Sequence, residues 1–222
     1  MIMNRNTTIG IFLIVVGISL MTMVSRFRSE DDAGDFTRQE LEILDGADRF
    51  MRVLTIEDSL DLAILRAPST DLSAGALLSE DFARLSDLMV ATVTDPAQDG
   101  VGIAGPQVGL NRRVIAVQRF DKEDKDCPFE VYANIRIVEK SEATSPGSEG
   151  CLSVPDRSEE VIRSEEIVIE YADLEALKKL AASSGKSIRK IPMIRETIKG
   201  FTAVIFQHEI DHLEGVLYID RI

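Results

Sequence analysis

The sequence predicts a domain of mixed helix and strand, on three observations. Two long stretches repeat apolar residues near the helical period of 3.6, and three shorter ones cluster or alternate β-branched residues. The last helical stretch carries both histidines of the chain, four residues apart. With 222 residues there is room for one catalytic domain with a buried core plus an extension.

From the N-terminus, residues 9–24 (IGIFLIVVGISLMTMV) form an uncharged apolar run, preceded by Arg5 and followed by Arg26 and Arg28. A bilayer span needs about 20 residues, and a signal-peptide core is shorter. No small-residue cleavage site follows, so the run is read as an anchor or signal segment within residues 1–28, with retention favoured. The flanking arginines do not decide its orientation. Residues 29–55 are rich in acid and read as a tether with a short helix at 38–44, leaving 56–222 as the catalytic domain. Residues 78–93 place Phe82, Leu85, Leu88, Met89 and Val93 on one helical face, with Ser79 as N-cap. Residues 113–117, 131–138 and 166–171 read as strands. Residues 174–182 read as a short helix or helical insertion. The final helix covers 201–213, with Gly200 before it and Gly215 just after.

The formal net charge is -13. Residues 1–28 hold three arginines and no acid, which leaves 22 basic against 38 acidic residues in 29–222, a net of -16. Nucleic-acid binding needs clustered Lys and Arg, so no nucleic-acid partner is expected. Two cysteines make no disulfide framework.

The chemistry concentrates in His208-Glu209-Ile210-Asp211-His212. A spacing of four puts both imidazoles on one helix face, where they can share a metal ion, with Glu209 beside them to take a proton from water. The segment leading into the motif is nearly all apolar, and two buried imidazoles are costly without a metal or a full set of hydrogen bonds. Tyr218 stands where one class of zinc peptidases has a third histidine, and Glu214 and Asp220 are too close to fold back. The third ligand is therefore sought upstream, with Cys151 as the best candidate, reached after a loop at 142–147.

Three motifs in order resemble the peptide deformylases: Gly100-Val101-Gly102-Ile103-Ala104-Gly105-Pro106-Gln107, Glu149-Gly150-Cys151-Leu152-Ser153, and Gln207-His208-Glu209-Ile210-Asp211-His212. The similarity runs from about Ile64 to the end of the chain. It implies an α+β fold with antiparallel sheets packed around a C-terminal metal-binding helix. It makes Cys151, His208 and His212 the ligands of one divalent metal, Fe²⁺ first, with Zn²⁺, Ni²⁺ or Co²⁺ also compatible. Glu209 becomes the acid/base, while Gln107 and the Leu152 N–H donate to the reacting carbonyl. Gly100, Gly102 and Ile103 bind substrate, and Ile103, Phe201 and Val204 are candidates for a methionine pocket.

The implied reaction removes the formyl group from N-terminal formyl-methionine of peptides or nascent polypeptides and releases formate. Several positions depart from the family's pattern: Gly105 for a second alanine, Ile135 and Ile162 for prolines, and residues 177–190 read as an insertion relative to it. The apolar N-terminal segment departs most. It implies a membrane partner through residues 9–24 and a membrane-associated location, with the cytoplasmic face favoured on substrate grounds. Two other readings stay open: a tethered or exported metallopeptidase cleaving ordinary peptide bonds, and a non-catalytic metal-binding protein.

Overall fold

The computed structural model describes residues 34–122, 127–184 and 188–222. Helix α1 (Arg38–Gly46) opens on a capping box. The Thr37 hydroxyl accepts from the Glu40 N–H, and the Glu40 carboxylate accepts from the Thr37 N–H at 2.7 Å. Helix α2 (Ser59–Leu65) is capped by Asp58, and α3 (Ala74–Leu77) is a single turn capped by Ser73. Helix α4 (Glu80–Val93) starts at Ser79, whose hydroxyl accepts from the Phe82 N–H, and buries the apolar face expected from its period.

Among the described residues eight strands follow, all paired antiparallel. One sheet runs in the order β1 (Gly102–Ala104), β2 (Val114–Gln118), β3 (Phe129–Ala133). A second runs β4 (Arg136–Lys140), β7 (Glu166–Ala172), β8 (Met193–Lys199), and β5 (Thr144–Cys151) forms a long hairpin with β6 (Val154–Ser164). Helix α5 (Leu174–Ser184) joins β7 to β8, and α6 (Gly200–Leu213) closes the domain. The expected α+β class, with antiparallel sheets and a C-terminal histidine-bearing helix, is the observed one.

The expected strand over 131–138 is in fact two strands in different sheets. The break is at Asn134, which has φ 52. Asparagine tolerates this left-handed conformation better than most residues. Its side chain accepts from the Leu72 N–H at 2.7 Å and donates to the Leu72 carbonyl at 2.9 Å, which holds the turn in place.

Helix α6 lies between the two sheets. Phe206, Ile210 and Leu213 pack with Ile115 and Tyr132 on one side and Ile167, Ile169 and Ile198 on the other. Each such side chain contributes about 1.5–3 kcal/mol on burial. That drive holds the helix rigidly inside the domain despite its polar motif. A second cluster joins α4 to the inner face of the first sheet through Leu85, Met89, Ile103 and Val114.

Residues 34–55 differ from the expected tether. Phe36, Leu44, Met51 and Leu54 are buried, and the compact unit begins at Gly34 rather than Ile56. The acids are interspersed with apolar positions that find a core. Glu40 itself is buried against Arg112, which donates to it twice, at 2.7 and 2.9 Å.

The expected membrane anchor is corrected. Among the described residues no helix is long and apolar enough to cross a membrane. The 9–24 run lies outside the described residues. The transmembrane or signal segment, the membrane partner and the membrane-associated location are therefore not carried forward.

Burial disfavours the charged Glu40 carboxylate, but the Arg112 and Thr37 hydrogen bonds outweigh it and hold its pKa below the ordinary 4.5. A depressed folded pKa gives stability that is present above the unfolded value and lost as pH falls through the folded one. Glu40→Gln is therefore expected to lower the Tm at pH 7. The gap from wild type should shrink as pH falls below 4.5 in thermal melts of the two proteins.

Candidate metal centre

The site joins two elements that are far apart in sequence. Strand β5 delivers Cys151 at the end of the hairpin, where the register shifts between Gly150 and Cys151. One face of α6 delivers His208 and His212, whose rings lie 5.1 Å apart. The sulfur of Cys151 is 3.2 Å from His212 Nε2, and the ligand atoms of all three residues lie within 4.8 Å of one another. The expected approach to Cys151 is a loop over 142–147. From Thr144 it is instead paired strand, so Cys151 is positioned by backbone hydrogen bonds and not by loop freedom.

A buried ionic network supports the ligands. Glu149 accepts from His208 Nδ1 at 2.8 Å, which leaves Nε2 to face the cluster. Arg163 on β6 donates twice to Glu149, at 2.7 and 2.9 Å, and once to Asp211 at 2.5 Å. Arg221 donates twice to Asp211 from the other side. Asp211 is thus occupied away from the ligand face, while Glu214 and Asp220 pair with Arg113 and Arg66. Tyr218 stacks on His208 and donates to the Arg157 carbonyl. Sequence reasoning places Glu149 only within a motif and gives Arg163 and Tyr218 no role in the site. The usable signal is an acid two residues from the proposed thiolate ligand.

Gln107 sits in a short 3-10 turn, Gly105–Val108. Its Oε1 accepts from the Ala104 N–H at 2.8 Å, so its amide nitrogen points at Ser153 Oγ (3.2 Å) and Cys151 Sγ (3.6 Å). Leu152, Gly100, Gly102, Glu209 and His208 line a cavity of about 570 Å³ together with Cys151 and Gln107. Phe201 and Val204 line it too, as expected of a side-chain pocket. Ile103 does not. A Cβ at Gly102 would fall on the Glu209 carboxyl group, so by strand alternation Ile103 points to the opposite face, into the core, where it is fully buried. The expectation that Ile103 contacts substrate is corrected on that ground, and Val101 lines the cavity. Glycine at 102 is needed for the close approach of Glu209.

Burial pushes Glu209 up to about 7, with Glu149 adding to the effect and His208 and Arg163 opposing it. Burial, the charge on His208 and that on Arg163 hold His212 well below its ordinary value. Burial would lower His208 too, but its hydrogen bonds to Cys151 and Glu149 raise it to about 10, so a metal bound there would displace a proton. Among the described residues, Glu209 Oε2 and His212 Nδ1 are buried without a hydrogen-bond partner. A cysteine sulfur and two imidazole nitrogens are donors that would suit a divalent transition metal. The residues present fit a divalent metal.

A cluster of three candidate ligands with a buried carboxylate beside it fits the class of metal-dependent hydrolases. The comparisons narrow it. Residues 51–222 match the family model described as polypeptide deformylase. A peptide deformylase of Caulobacter vibrioides is 34% identical over 171 residues, covering 77% of this chain and 87% of that one. One of Pelagibacter ubique is 38% identical, covering 62% and 69%. A class I type b peptide deformylase of Acinetobacter baumannii, solved with Met-Ala-Ser bound, superposes with TM-score 0.63 at 33% identity, covering 78% of this chain and 98% of that one. This chain belongs to the peptide deformylase family. That kinship supports a hydrolase removing formyl from formyl-methionine.

Replacing Arg163 leaves Glu149 buried without its main partner and removes one of the donors to Asp211, a loss that costs about 3–5 kcal/mol. Arg163→Met is expected to lower unfolding stability by that amount in a urea titration. Arg163→Lys should recover only part of it, because an ammonium cannot donate in the same two-pronged geometry.

Proposed function

We propose that this chain deformylates formyl-methionyl peptides with Cys151, His208 and His212 holding one Fe²⁺ ion and Glu209 moving the proton. The observation that carries the reading is the buried Glu209 carboxylate, raised to about 7, in the cavity beside the Cys151 and histidine cluster. Its Oε2 has no hydrogen-bond partner among the described residues. When bound, the divalent ion supplies Lewis acidity and brings the pKa of water toward neutrality. The mixed sulfur and nitrogen donors suit Fe²⁺ and equally admit Zn²⁺, Ni²⁺ or Co²⁺.

The protein's own groups do the rest. Glu209 takes a proton from the water that attacks the formyl carbon, and gives a proton to the nitrogen as the C–N bond breaks. A pKa near 7 suits a group that must both accept and return a proton at neutral pH. Gln107 Nε2 and the Leu152 N–H donate to the developing oxyanion, where one lost donor costs about 3–4 kcal/mol of barrier. The orientation of the Gln107 amide, fixed by the Ala104 N–H, supports that role. Val101, Phe201 and Val204 receive the methionine side chain, while Gly100 and Gly102 let the peptide run close to the first sheet. Binding of Met-Ala-Ser by the Acinetobacter baumannii relative supports a methionine-led peptide as the occupant here.

Anaerobic incubation of the Fe²⁺-loaded protein with formyl-Met-Ala is expected to release formate. Glu209→Ala should keep its metal and lose at least about 100-fold in kcat. A folded, loaded wild type that releases no formate, yet cleaves an unformylated peptide, would move the reading to ordinary peptide bonds. Cys151→Ala is expected to lose the metal. Stoichiometric metal in that variant, read by elemental analysis, contradicts the ligand assignment.

A further inference from the structure

Helix α1 lies outside residues 51–222, the part that matches the family model, yet it packs directly behind the turn that carries Gln107. That turn, Gly105–Val108, ends at Gly109, whose φ of 88 suits glycine and leaves bare backbone on the outer side. Ile43 covers this backbone. A Cβ placed at Gly109 would lie 3.3 Å from its terminal carbon. Leu41 and Ile43 also pack against the apolar cluster that contains Val108 and Leu110.

Arginines from the matched region fasten the helix at both ends. Near its start, Arg112 donates to Glu40 at 2.7 and 2.9 Å and to the Asp35 carbonyl at 2.5 Å. Near its end, Arg84 on α4 donates to the carbonyls of Leu44 at 3.2 Å and Ala47 at 2.9 Å. Arg112 is itself pressed on the turn. A Cβ at Gly105 would lie 2.7 Å from its carbonyl oxygen and 2.7 Å from that of Leu110. The chain leaving α1 then reaches both proposed oxyanion donors. The Met51 N–H donates to Thr92 Oγ1 at 2.9 Å, and the Leu54 N–H donates to the Gln107 carbonyl at 2.8 Å. The Ile56 N–H donates at 2.9 Å to the carbonyl of Ser153, the neighbour of Leu152.

We propose that α1 is a brace for the Gln107 turn, and that Ile43 and Glu40 are positioning residues that act on the reaction through it. The effect on rate rests on the deformylase reading. The Gln107 amide has to meet an oxyanion that forms only as the reaction proceeds. A turn free to shift therefore loses stabilisation of the transition state and little binding of the ground state. A displacement of about 1 Å is enough to cost up to about 100-fold. A helix that only added stability would change the Tm and leave the turnover of the folded protein alone.

Ile43→Ala is the mildest test, since Ile43 is only partly buried, at the edge of a cavity of about 490 Å³ that Val108 and Gly109 also line. The full chain is loaded with Fe²⁺ and assayed on formyl-Met-Ala where the variant is fully folded. Its kcat is expected to fall about 10-fold, with KM and metal content within about 2-fold of wild type. Ile43→Val should restore most of the rate, and Glu40→Gln should repeat the loss. Hydrogen exchange at the Leu54, Gly109 and Leu110 amides should quicken about 10-fold in Ile43→Ala, while the amides that pair β7 with β8 keep their protection. Unchanged exchange at the turn overturns the brace, as does equal quickening throughout the domain. In an active enzyme, an unchanged kcat overturns the positioning role. Faster exchange at the turn in a protein whose wild type releases no formate removes the deformylase reading and leaves the brace standing.

Discussion

Arg163 is the residue through which the two halves of the site hold each other. The thiolate comes from the hairpin and the imidazoles from α6, much later in the sequence, so nothing local sets their separation. The guanidinium, with 3% of its side chain exposed, ties Glu149 on one strand to Asp211 on the helix. Taking such charges out of water is expensive, and only two-pronged geometry with every oxygen engaged offsets the cost. Glu149 then uses its second role, accepting from His208 Nδ1, to fix which nitrogen faces the metal position. The same network therefore sets the distance between ligands and the tautomer of one of them.

Against that fully engaged network, Glu209 stands out because one of its carboxylate oxygens lacks a partner. It is next to His208 in sequence and deeply buried, yet its side chain leaves the ligand face and meets the backbone at Gly102. Any larger residue at 102 would push the carboxylate aside. Burial raises its affinity for a proton, and the neighbouring positive groups limit the rise. A group poised near neutrality results from these two opposed effects, without a dedicated hydrogen-bond partner. One side chain is left free to exchange protons because its neighbours hold each other in place.

The parts of this structure legible in the sequence are those where one pattern dominates. Helix α4, β7 and α6 follow from apolar period and β-branching, and the pair of histidines four apart gives the ligand face directly. Strand β5 is not legible. Thr144-Ser145-Pro146-Gly147-Ser148-Glu149 has no apolar alternation, because the hairpin is largely exposed and is held by backbone pairing to β6. The break at Asn134 is hidden for the opposite reason. Its flanks are both good strand formers, and only the contact with Leu72, 62 residues away, turns the chain. Ile103 is misassigned because a motif names residues without giving the face of the strand. Residues 34–55 look like a tether because acids are frequent there, although Phe36, Leu44, Met51 and Leu54 are enough to dock them.

Helix α6 also bears on selectivity for a formyl group. Its first turns, at Phe201 and Val204, line the cavity that we propose takes the methionine side chain, and its later turns carry His208, Glu209 and His212. At 1.5 Å per residue, Val204 and His208 are separated by about 6 Å along the axis. That is roughly the reach of a methionine side chain from its own backbone. Because the helix is packed on both sheets, this spacing cannot relax when substrate binds. A side chain seated against Val204 therefore holds its blocked nitrogen at a set distance from Glu209. An acyl group larger than formyl has to find room between that nitrogen and the ligands, where Gly102, Gln107 and Leu152 close the space.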